Sequence, residues 1–562
     1  MIKIDNIKLP VDAGKDELNR KIKKLLRNKD YRLVRILRRS LDARKKNDIH
    51  YNYSVMVEVS EYEEKTVKIL NNKNITLTKC TDYHFSYSFE REKYSESNIY
   101  RPVIIGTGPA GYFAATVLAD NGFCPIVIER GKPVDERKAD VDCFWETGIL
   151  SEESNVSFGE GGAGTFSDGK LNTGNKDRDG IYSFVFETFR RFGANESVCY
   201  DAKPHIGTDV LMKIMRNMRR NILDKGGNIF FSTKLTDLHA SNGTYKLTLE
   251  QSREENPDDI SSVCSNYRRL DTDDEKINRY EIFTDNVILA TGHSSRDTMK
   301  MLYEQGYSME QKPFAIGLRI EHPRRMIDID RYGDDFADKL PAADYKLTYH
   351  AANGRAVFSF CMCPGGYVIN ASSQKGCMTV NGMSYSGRDS DNSNSAIVVN
   401  IVPEDISGDN PLDAALFQVE LEKAFFNAGE GNVPVQLFGD FIQGEKSLKL
   451  GSIKPQIKGK ITLSELKSCL PEYVSDAIID GIRYFGTRIK GFDSEDAVLS
   501  GIESRTSSPV RIIRDDDLQA VGFPGVFPCG EGAGYAGGIT SAAADGVRCA
   551  EKLAARMLSI NN

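Results

Sequence analysis

The feature that most constrains this chain is an apolar strand, Val103–Ile105, that runs into a glycine-rich turn and then an alanine-rich helix. The turn reads Gly106-Thr107-Gly108-Pro109-Ala110-Gly111, and each glycine in it has a separate task. Gly106 permits the tight turn, Gly108 lets the backbone approach a pyrophosphate, and Gly111 allows the helix to pack closely on the strand. Free N–H groups at the start of the helix would then face the phosphates. The pattern therefore predicts a parallel α/β sheet that binds a dinucleotide.

A second strand and a distant segment complete this pattern. The apolar strand Pro125–Ile128 ends in Glu129-Arg130, where an acid would accept hydrogen bonds from the adenosine ribose. Far along the chain, the strand Val526–Pro528 leads through Cys529 into Gly530-Glu531, and another alanine-rich helix follows from about Gly538-Ile539. Together the two halves predict FAD.

Length and composition fit a large enzyme. The chain has 562 residues, enough for three or four domain-sized units. It contains no apolar run near the roughly 18 residues of a membrane helix, and its first residues lack the apolar core of a signal peptide. The 11 cysteines include no CxxC pair, which argues against a metal knuckle and against a flavin–dithiol disulfide reductase. We expect a cytoplasmic protein with reduced thiols, no metal and no membrane insertion.

The chain divides into four segments that differ in composition and hydrophobic pattern. We predict a basic N-terminal α+β domain at residues 1–95, the first part of the FAD-binding domain at 99–310, an inserted substrate domain at 311–504, and the second part of the FAD-binding domain at 505–562. Residues 1–50 hold 16 Lys and Arg against 7 Asp and Glu. Leucine spacing there predicts two helices, one over 18–26 and one over 33–41, the second with Arg32, Arg35 and Arg39 on another face. Those arginines are either an RNA-binding face or an ordinary solvated one.

Several further elements follow from hydrophobic patterning. In the FAD-binding domain we predict a helix over 211–225, a parallel strand at Asn228–Ser232, and a β-meander that includes Tyr245–Leu249 and Tyr280–Phe283. The polar stretch Gln251–Asn278 is predicted to be a mobile surface excursion. A buried strand within Thr284–Gly292 ends in a glycine turn near the cofactor. In the inserted domain we predict strands at Phe314–Ile320 and Ala396–Val402, a helix at Leu412–Phe426, and a strand with Cys361 and Cys363 on one face.

Longer strings resemble a known bacterial family. These are residues 157–171 (SFGEGGAGTFSDGKL), residues 203–209 (KPHIGTD), residues 363–366 (CPGG), residues 505–511 (RTSSPVR) and residues 530–539. They are similar to the FAD-dependent proteins, also called NAD(FAD)-utilizing dehydrogenases, within the glutathione-reductase-like FAD/NAD(P)-binding superfamily. The resemblance implies an α/β fold with a Rossmann-like FAD/NAD(P)-binding domain (three layers, a parallel sheet plus a β-meander), an inserted mixed α+β substrate domain and a small N-terminal α+β domain. It implies FAD but no particular substrate.

Motif and resemblance together predict the residues that bind the cofactor and those that carry the chemistry. The predicted FAD-binding residues are Gly106, Gly108, Pro109, Ala110, Gly111, Glu129, Arg130, Gly162, Gly164, Thr165, Leu235, Thr291, Gly292, Gly530, Glu531, Gly538 and Ile539. The loop Gly159–Lys170 is expected either to lie against the flavin or to be a structural turn. The catalytic candidates are Lys170, His293 and Arg505, each of which has an alternative structural role. His205, His322 and Arg319 are further candidates with the same ambiguity.

Three functions remain open from the sequence. The first is an FAD-dependent oxidoreductase that acts on an unidentified small molecule by hydride transfer through non-covalent FAD. The second is an FAD-dependent RNA-modifying enzyme that docks nucleic acid with its basic N-terminal domain, and the third is a non-catalytic flavin-binding regulatory protein. Since no second strand–glycine–helix unit is visible, NAD(P)H would act only as a transient electron donor in the flavin cleft. The oligomeric state is left open.

Overall fold

The N-terminal residues form a four-stranded antiparallel sheet with two helices. The computed structural model describes the chain except for residues 61, 80, 97–98, 173, 175, 242, 254–259, 261–266 and 561–562. The sheet has the order β2-β3-β1-β4. Its core is aliphatic, with Ile4, Ile22 and Val57 fully buried. The elements are β1 Ile2–Pro10, α1 Lys15–Leu25, β2 Tyr31–Asp42, β3 His50–Val59, α2 Glu63–Leu70 and β4 Ile75–Leu77, followed by the short α3 Lys93–Glu96.

The second predicted helix of this domain is wrong, because residues 31–42 form strand β2. Leucines spaced by four residues suit one face of a strand as well as one face of a helix, and pairing with β3 decides between them. The arginines predicted to share a helix face therefore lie on a strand. Arg32 pairs with Glu58, Arg35 with Asp82, and Arg39 with Asp201 of the next domain.

A five-stranded parallel sheet of order β25-β12-β5-β6-β7 is the centre of the second unit. Its three central strands are apolar and fully buried, as expected for a parallel sheet covered on both faces. An antiparallel meander of order β10-β11-β9-β8 packs beside it. The elements are β5 Val103–Ile105, α4 Pro109–Asp120, β6 Ile126–Ile128, α5 Val134–Thr147, α6 Ile181–Arg191, α7 Thr208–Asp224, β7 Asn228–Phe230, β8 Thr233–Ser241, β9 Thr244–Ser252, β10 Tyr267–Leu270, β11 Ile277–Thr284, β12 Val287–Leu289, α8 Arg296–Glu304 and β13 Met309–Gln311.

Most element predictions for this unit are confirmed. The helix over 211–225, the parallel strand after Asn228, the meander strands and the strand before Gly292 are all present. Residues 254–259 and 261–266 of the excursion predicted for Gln251–Asn278 lie outside the described residues. The part described as β10 pairs with β11 and so belongs to the meander.

The third unit is built on a seven-stranded sheet of order β15-β16-β19-β14-β23-β20-β22. A second sheet, β18-β17-β21, lies beside it, and both predicted strands and the predicted helix near 412–426 are confirmed. The elements are β14 Phe314–Pro323, α9 Arg324–Tyr332, α10 Asp334–Ala337, β15 Thr348–His350, β16 Ala356–Cys363, β17 Tyr367–Asn370, β18 Val380–Met383, β19 Asn392–Ile401, α11 Asp413–Ala428, β20 Val433–Leu437, α12 Phe438–Gln443, β21 Ile457–Lys458, β22 Ile461–Leu463, α13 Glu472–Gly486 and β23 Val498–Glu503.

Strand β16 carries one departure from the expected pattern. Its pairing with β19 shifts register between Phe360 and Cys363, and Cys361 has a φ of +41°. This bulge turns Cys361 to an accessible position while Cys363 is buried, so the prediction that both cysteines share a face is wrong.

The chain then returns to the parallel sheet. Strand β24 Val510–Ile512 pairs with β13, β25 Val526–Pro528 joins the sheet beside β12, and helix α14 Ile539–Ile560 ends the described chain. A Cβ atom at Gly546 of α14 would overlap the carbonyl oxygen of Ala110 in α4. That close approach places α4 and α14 side by side. Among the described residues, no helix combines the length and apolar character needed to cross a membrane.

Candidate FAD site

The glycine turn after β5 contains two glycines that the fold requires and one that faces open space. A Cβ atom at Gly106, whose φ is +101°, would overlap the carbonyl oxygen of Ala290, and one at Gly111 would overlap the carbonyl oxygen of Gly106. At Gly108 the nearest atom to such a Cβ is the Cα of Gly162, 4.0 Å away. Gly106 and Gly111 are therefore required by the fold itself, whereas the space beside Gly108 belongs to a cavity.

Two helices begin at this cavity. Helix α4 has Gly108 as its N-cap and Pro109 in its first turn, and no side chain caps it. Helix α14 begins at Ile539, and Gly538 and Ile539 both line the cavity. The first N–H groups of a helix have no partner within it, and together with the helix dipole they favour a bound anion. Both ends are thus suited to the anionic parts of a ligand.

Glu129 holds three backbone segments together at one end of the cavity. Its Oε2 accepts hydrogen bonds from the backbone N–H and the hydroxyl of Thr107, at 2.9 and 2.7 Å. Its Oε1 accepts from the backbone N–H groups of Gly131 and Gly159, both at 2.9 Å. The carboxylate lines the cavity, and its binding to the ribose remains a prediction. Its hydrogen bonds join the turn, the end of β6 and the loop at Gly159.

A fully buried arginine shapes that loop. Arg137 of α5 donates to the backbone carbonyl oxygens of Asn155, Val156, Gly159 and Glu160. Its guanidinium also lies 4.9 Å from the centre of the Phe166 ring. Burial lowers the pKa of Arg137 to about 10, against the opposing charges of Glu129 and Glu160. The loop is therefore folded around a cation at its centre, and its backbone conformation is fixed before any ligand binds.

One continuous cavity joins these parts. Fourteen of the predicted FAD-binding residues line it: Gly106, Gly108, Pro109, Ala110, Glu129, Arg130, Gly162, Gly164, Leu235, Thr291, Gly292, Glu531, Gly538 and Ile539. Gly111, Thr165 and Gly530 lie just behind the wall. Gly111 packs on the turn, the Thr165 hydroxyl lies near the backbone oxygen of Glu160, and Gly530, with a φ of +75°, lies against the Ala110 methyl group.

Comparison with known proteins assigns the chain. Residues 313–506 match the family described as FAD-dependent protein, C-terminal domain-like, and residues 1–58 match a domain of unknown function. An uncharacterised protein of Clostridium beijerinckii is 44% identical over 558 residues, which is 98% of each chain. The chain belongs to this family of FAD-dependent proteins.

Solved flavoproteins resemble the FAD-dependent protein only distantly. A flavin-dependent brominase is 11% identical, with a TM-score of 0.37 over 82% of this chain and 79% of its own. A geranylgeranyl bacteriochlorophyll reductase-like protein of Thermoplasma acidophilum is 11% identical, with a TM-score of 0.35 over 82% and 80%. At these scores the likeness does not identify a shared activity.

The residues present fit FAD. The open space at Gly108 allows a pyrophosphate to approach the backbone, and the uncapped start of α4 supplies N–H groups to it. Gly292, Gly537 and Gly538 also line the cavity and have no atom within 4 Å of a Cβ position. The cavity therefore offers bare backbone along its length, as a dinucleotide cofactor requires.

The inserted domain forms the wall at the far end of the cavity, which we call the inner end. Phe360 and Cys361 on β16, and Asn381 and Gly382 on β18, line it together with residues of the flavin-binding sheet. Cys361 is exposed to the cavity, but desolvation by the surrounding protein raises the pKa of its thiol to about 12, so this side chain is a neutral thiol at physiological pH. Residues of both domains therefore form the wall of this end of the cavity.

Lys170 belongs to a charged cluster at this end. Its Nζ lies 3.5 Å from Asp168, which also accepts hydrogen bonds from Arg388 and Ser384, both at 2.6 Å. Although burial opposes it, the pKa of Asp168 is below its ordinary value because Lys170 and Arg388 favour the carboxylate. Asp168 is thus an anion that holds Lys170 at the cavity wall.

Arg505 lies at the junction between the two domains. It donates through Nε and Nη2 to Glu422 of α11, at 2.9 and 2.8 Å, and Arg296 of α8 binds the same carboxylate. Although burial opposes it, these two arginines keep the pKa of Glu422 below its ordinary value. Arg505 lines the cavity as well, and its Nη1 donates to the hydroxyls of Ser294 and Ser373, so most of its N–H donors are engaged with protein groups, as the structural role predicted for it requires.

The three candidate histidines differ in their position relative to the cavity. His293 lines the cavity, and its Nδ1 lies 3.3 Å from Glu531, one of the predicted FAD-binding residues. His205 lies behind the wall, 3.1 Å from the Ser384 hydroxyl, and burial lowers its pKa to about 4. His322 is fully buried against the Phe492 carbonyl, away from the cavity, so its acid–base role is wrong. Of the three, His293 alone borders the cavity.

Arg319 is likewise structural. It is fully buried, bonds Glu503 through two nitrogens, and reaches Asn381 and Asn394. A substrate role for it is wrong, because its donors are taken by protein groups. Its contact with Asn381 nevertheless sets the position of one cavity residue.

Several residues of the site were not foreseen from the sequence. Arg137 lies in the charged run Asp135–Asp140, which is typical of a solvated helix. Phe360 and Asn381 carry no motif, and Arg296 and Glu422 lie 126 positions apart. The only available signal was the position of Arg296, four residues after the Thr291-Gly292 turn.

One buried group resembles a metal site by composition. Ligating atoms of Cys529, Asp545 and Cys549 lie within 4.8 Å of one another. Arg514 already binds Asp545, at 3.0 Å, and burial raises the pKa of the Cys529 thiol well above its ordinary value. The carboxylate of this cluster is therefore already paired with a guanidinium, and the Cys529 thiol is protonated.

Proposed function

We propose that this protein is an FAD-dependent oxidoreductase whose substrate is a small molecule held between the flavin and the inserted domain. The observation that carries the proposal is the continuity of the cavity, which runs from Gly108 to Phe360 and Asn381. A structural or regulatory flavin would not need a cavity whose wall is partly formed by another domain. When bound, FAD supplies the two-electron chemistry of such a reaction.

The chain's own residues have distinct tasks in this proposal. The start of α14 at Gly538-Ile539 stabilises negative charge by about 0.3–1 kcal/mol at an exposed site and more where partly buried. Lys170, held by Asp168, and His293, held by Glu531, are the proton donors or acceptors that border the cavity. Phe360 places an apolar ring in the wall of the inner end.

The RNA-modifying alternative rests on the basic N-terminal domain, which has 16 Lys and Arg against 7 Asp and Glu in residues 1–50. The structure weakens one part of it, because Arg32, Arg35 and Arg39 lie on a strand and each pairs with an acid. The small-molecule proposal does not depend on this surface.

Re-oxidation of the reduced protein tests the proposal. The FAD-loaded protein is reduced with one equivalent of dithionite and mixed without oxygen with panels of quinones, enoic acids and imines. We expect one class to re-oxidise the flavin faster than buffer does, and Phe360→Trp, which fills the inner end, to abolish that acceleration while FAD stays bound. Phe358→Trp, two positions along the same strand but outside the cavity wall, is the control. No acceleration by any class, or equal acceleration in Phe360→Trp, would contradict the proposal.

A further inference from the structure

The inner end of the cavity carries more positive charge than its own acids balance. In one cluster Arg296 and Arg505 share the single carboxylate of Glu422, which is fully buried. In the other, Lys170 and Arg388 share the single carboxylate of Asp168. His205 adds no charge to the second cluster at neutral pH, because burial lowers its pKa to about 4. Each cluster therefore has one uncompensated positive charge.

Both clusters have a member in the cavity wall. Arg505, Lys170 and Asp168 line the cavity, whereas Glu422, Arg296 and Arg388 do not. The Lys170 side chain is 28% exposed, and its ion pair with Asp168, at 3.5 Å, is long for a charge-assisted hydrogen bond. An ammonium held this loosely has donors left for a ligand. Unpaired positive charge away from bulk water is costly, and an anion in the cavity would relieve that cost.

A neutral donor lies in the same wall. The side-chain oxygen of Asn381 accepts hydrogen bonds from Arg319, at 3.0 Å, and from the Gly382 N–H, at 2.7 Å. Because the oxygen is engaged, the amide presents its NH2 group as the available donor. Asn381 lines the cavity beside Phe360 and Cys361, which offer apolar surface for a carbon skeleton.

We infer that this end of the cavity binds a small organic acid through its carboxylate, an assignment that rests on the proposed function and names its substrate class. A carboxylate brings one charge and two acceptor oxygens, which matches one ammonium and one amide NH2. A phosphate ester brings up to two charges and three acceptor oxygens, and such sites are usually built from converging backbone N–H groups or a guanidinium fork. The ends of α4 and α14 have that character. Beside Lys170 the fork of Arg505 is already taken by Glu422, which leaves the ammonium and the Asn381 amide as donors.

Binding is measured on the FAD-loaded protein without turnover. Benzoate and succinate are titrated while the visible flavin spectrum and the heat of binding are recorded, with benzamide, succinamide and inorganic phosphate as parallel probes. We expect at least one carboxylate to bind saturably, at least tenfold more tightly than its amide, and more weakly as salt is raised. Equal binding of acid and amide, or a response to phosphate alone, would overturn the inference.

Two variants locate the site. Lys170→Met removes the charge and should weaken carboxylate binding at least tenfold. Asn381→Asp keeps the acceptor for Arg319 but places a second carboxylate in the wall, and should weaken binding as strongly. The control is Lys203→Met, since Lys203 is 65% exposed and pairs with Asp344 outside the cavity wall. Unchanged affinity in both cavity variants, or a shift only in the flavin's reduction potential, would show that the charge serves the flavin instead.

The two proposals fail separately. If a carboxylate binds but no compound re-oxidises the flavin, the proposed oxidoreductase function is contradicted and the carboxylate site stands. Re-oxidation by an uncharged class, with no carboxylate bound, would do the reverse.

Discussion

The buried guanidinium of Arg137 lies directly against Gly159, where a Cβ atom would come within 2.5 Å of the arginine Cδ. Arg137 also donates to the Gly159 carbonyl oxygen at 3.2 Å. Gly159 has a φ of +113°, and its N–H is held by Glu129. One arginine and one glycine thus fix the loop that forms a wall of the FAD cavity.

Removal of this arginine should release the loop. Arg137→Ala would remove a donor from four carbonyl oxygens. Those of Gly159 and Glu160 keep Gly162 N–H and the Thr165 hydroxyl, whereas those of Asn155 and Val156 lose theirs, at a cost of about 1–3 kcal/mol for each that water cannot reach. We expect a lower melting temperature and a flavin-to-protein absorbance ratio well below that of the wild type. Arg216→Ala, which breaks an exposed pair with Asp135, is the control. Full flavin content in Arg137→Ala would show that the loop holds its shape without the cation.

Two glycines of the turn should fail in different ways. Gly108→Val directs a side chain into open cavity, so the apoprotein should fold normally and yet fail to bind FAD. Gly111→Ala would overlap the Gly106 carbonyl, so it should lower the stability of the apoprotein itself. Thermal unfolding of apoprotein and FAD titration separate the two effects. Near-normal FAD affinity in Gly108→Val would mean that the pyrophosphate lies elsewhere.

The cofactor should be held without a covalent bond. Neither the glycine turn nor residues 159–171 contain His or Cys, although His293, Cys361 and Cys529 line other parts of the cavity. Heat-denatured protein should be colourless, and the released compound should run as FAD on chromatography. Colour that stays with the denatured chain would identify a covalent link at one of those three residues.

Stability should depend on the ionisation of Glu321. Its Oε1 accepts from Asn392 and from the Gln456 N–H, its Oε2 is buried without a hydrogen-bond partner among the described residues, and burial raises its pKa from 4.5 to about 7. A raised carboxyl pKa means that its contribution to stability is fully present below pH 4.5 and is lost as pH rises through about 7.

Glu321→Gln should remove this dependence. At pH 8 the variant should be more stable than the wild type, relative to the difference at pH 4.5, by on the order of 3 kcal/mol. Melting temperatures of both proteins across that range provide the measurement. Parallel curves for the two proteins would contradict the assignment.

Local motifs were readable from the sequence, and long-range contacts were not. The turn at Gly106–Gly111 and the helix after Gly538 were predicted because their chemistry is contained in a few consecutive residues. Residues 31–42 were mistaken for a helix because Leu33, Leu37 and Leu41 satisfy both periods, and only pairing with β3 chooses between them. The Arg505–Glu422 pair and the Asn381 wall arise from tertiary packing that no local pattern records.

Anaerobic reduction tests the central claim, a redox-active flavin in an accessible cavity, most directly. We predict that dithionite bleaches the bound flavin completely and that NADH or NADPH reduces it at rates that rise linearly with concentration, because no second nucleotide-binding unit is present among the described residues. A submicromolar nicotinamide dissociation constant would reveal a site absent from this account. A flavin that stays yellow in excess dithionite would contradict the claim that it is redox-active and would indicate a buried structural cofactor.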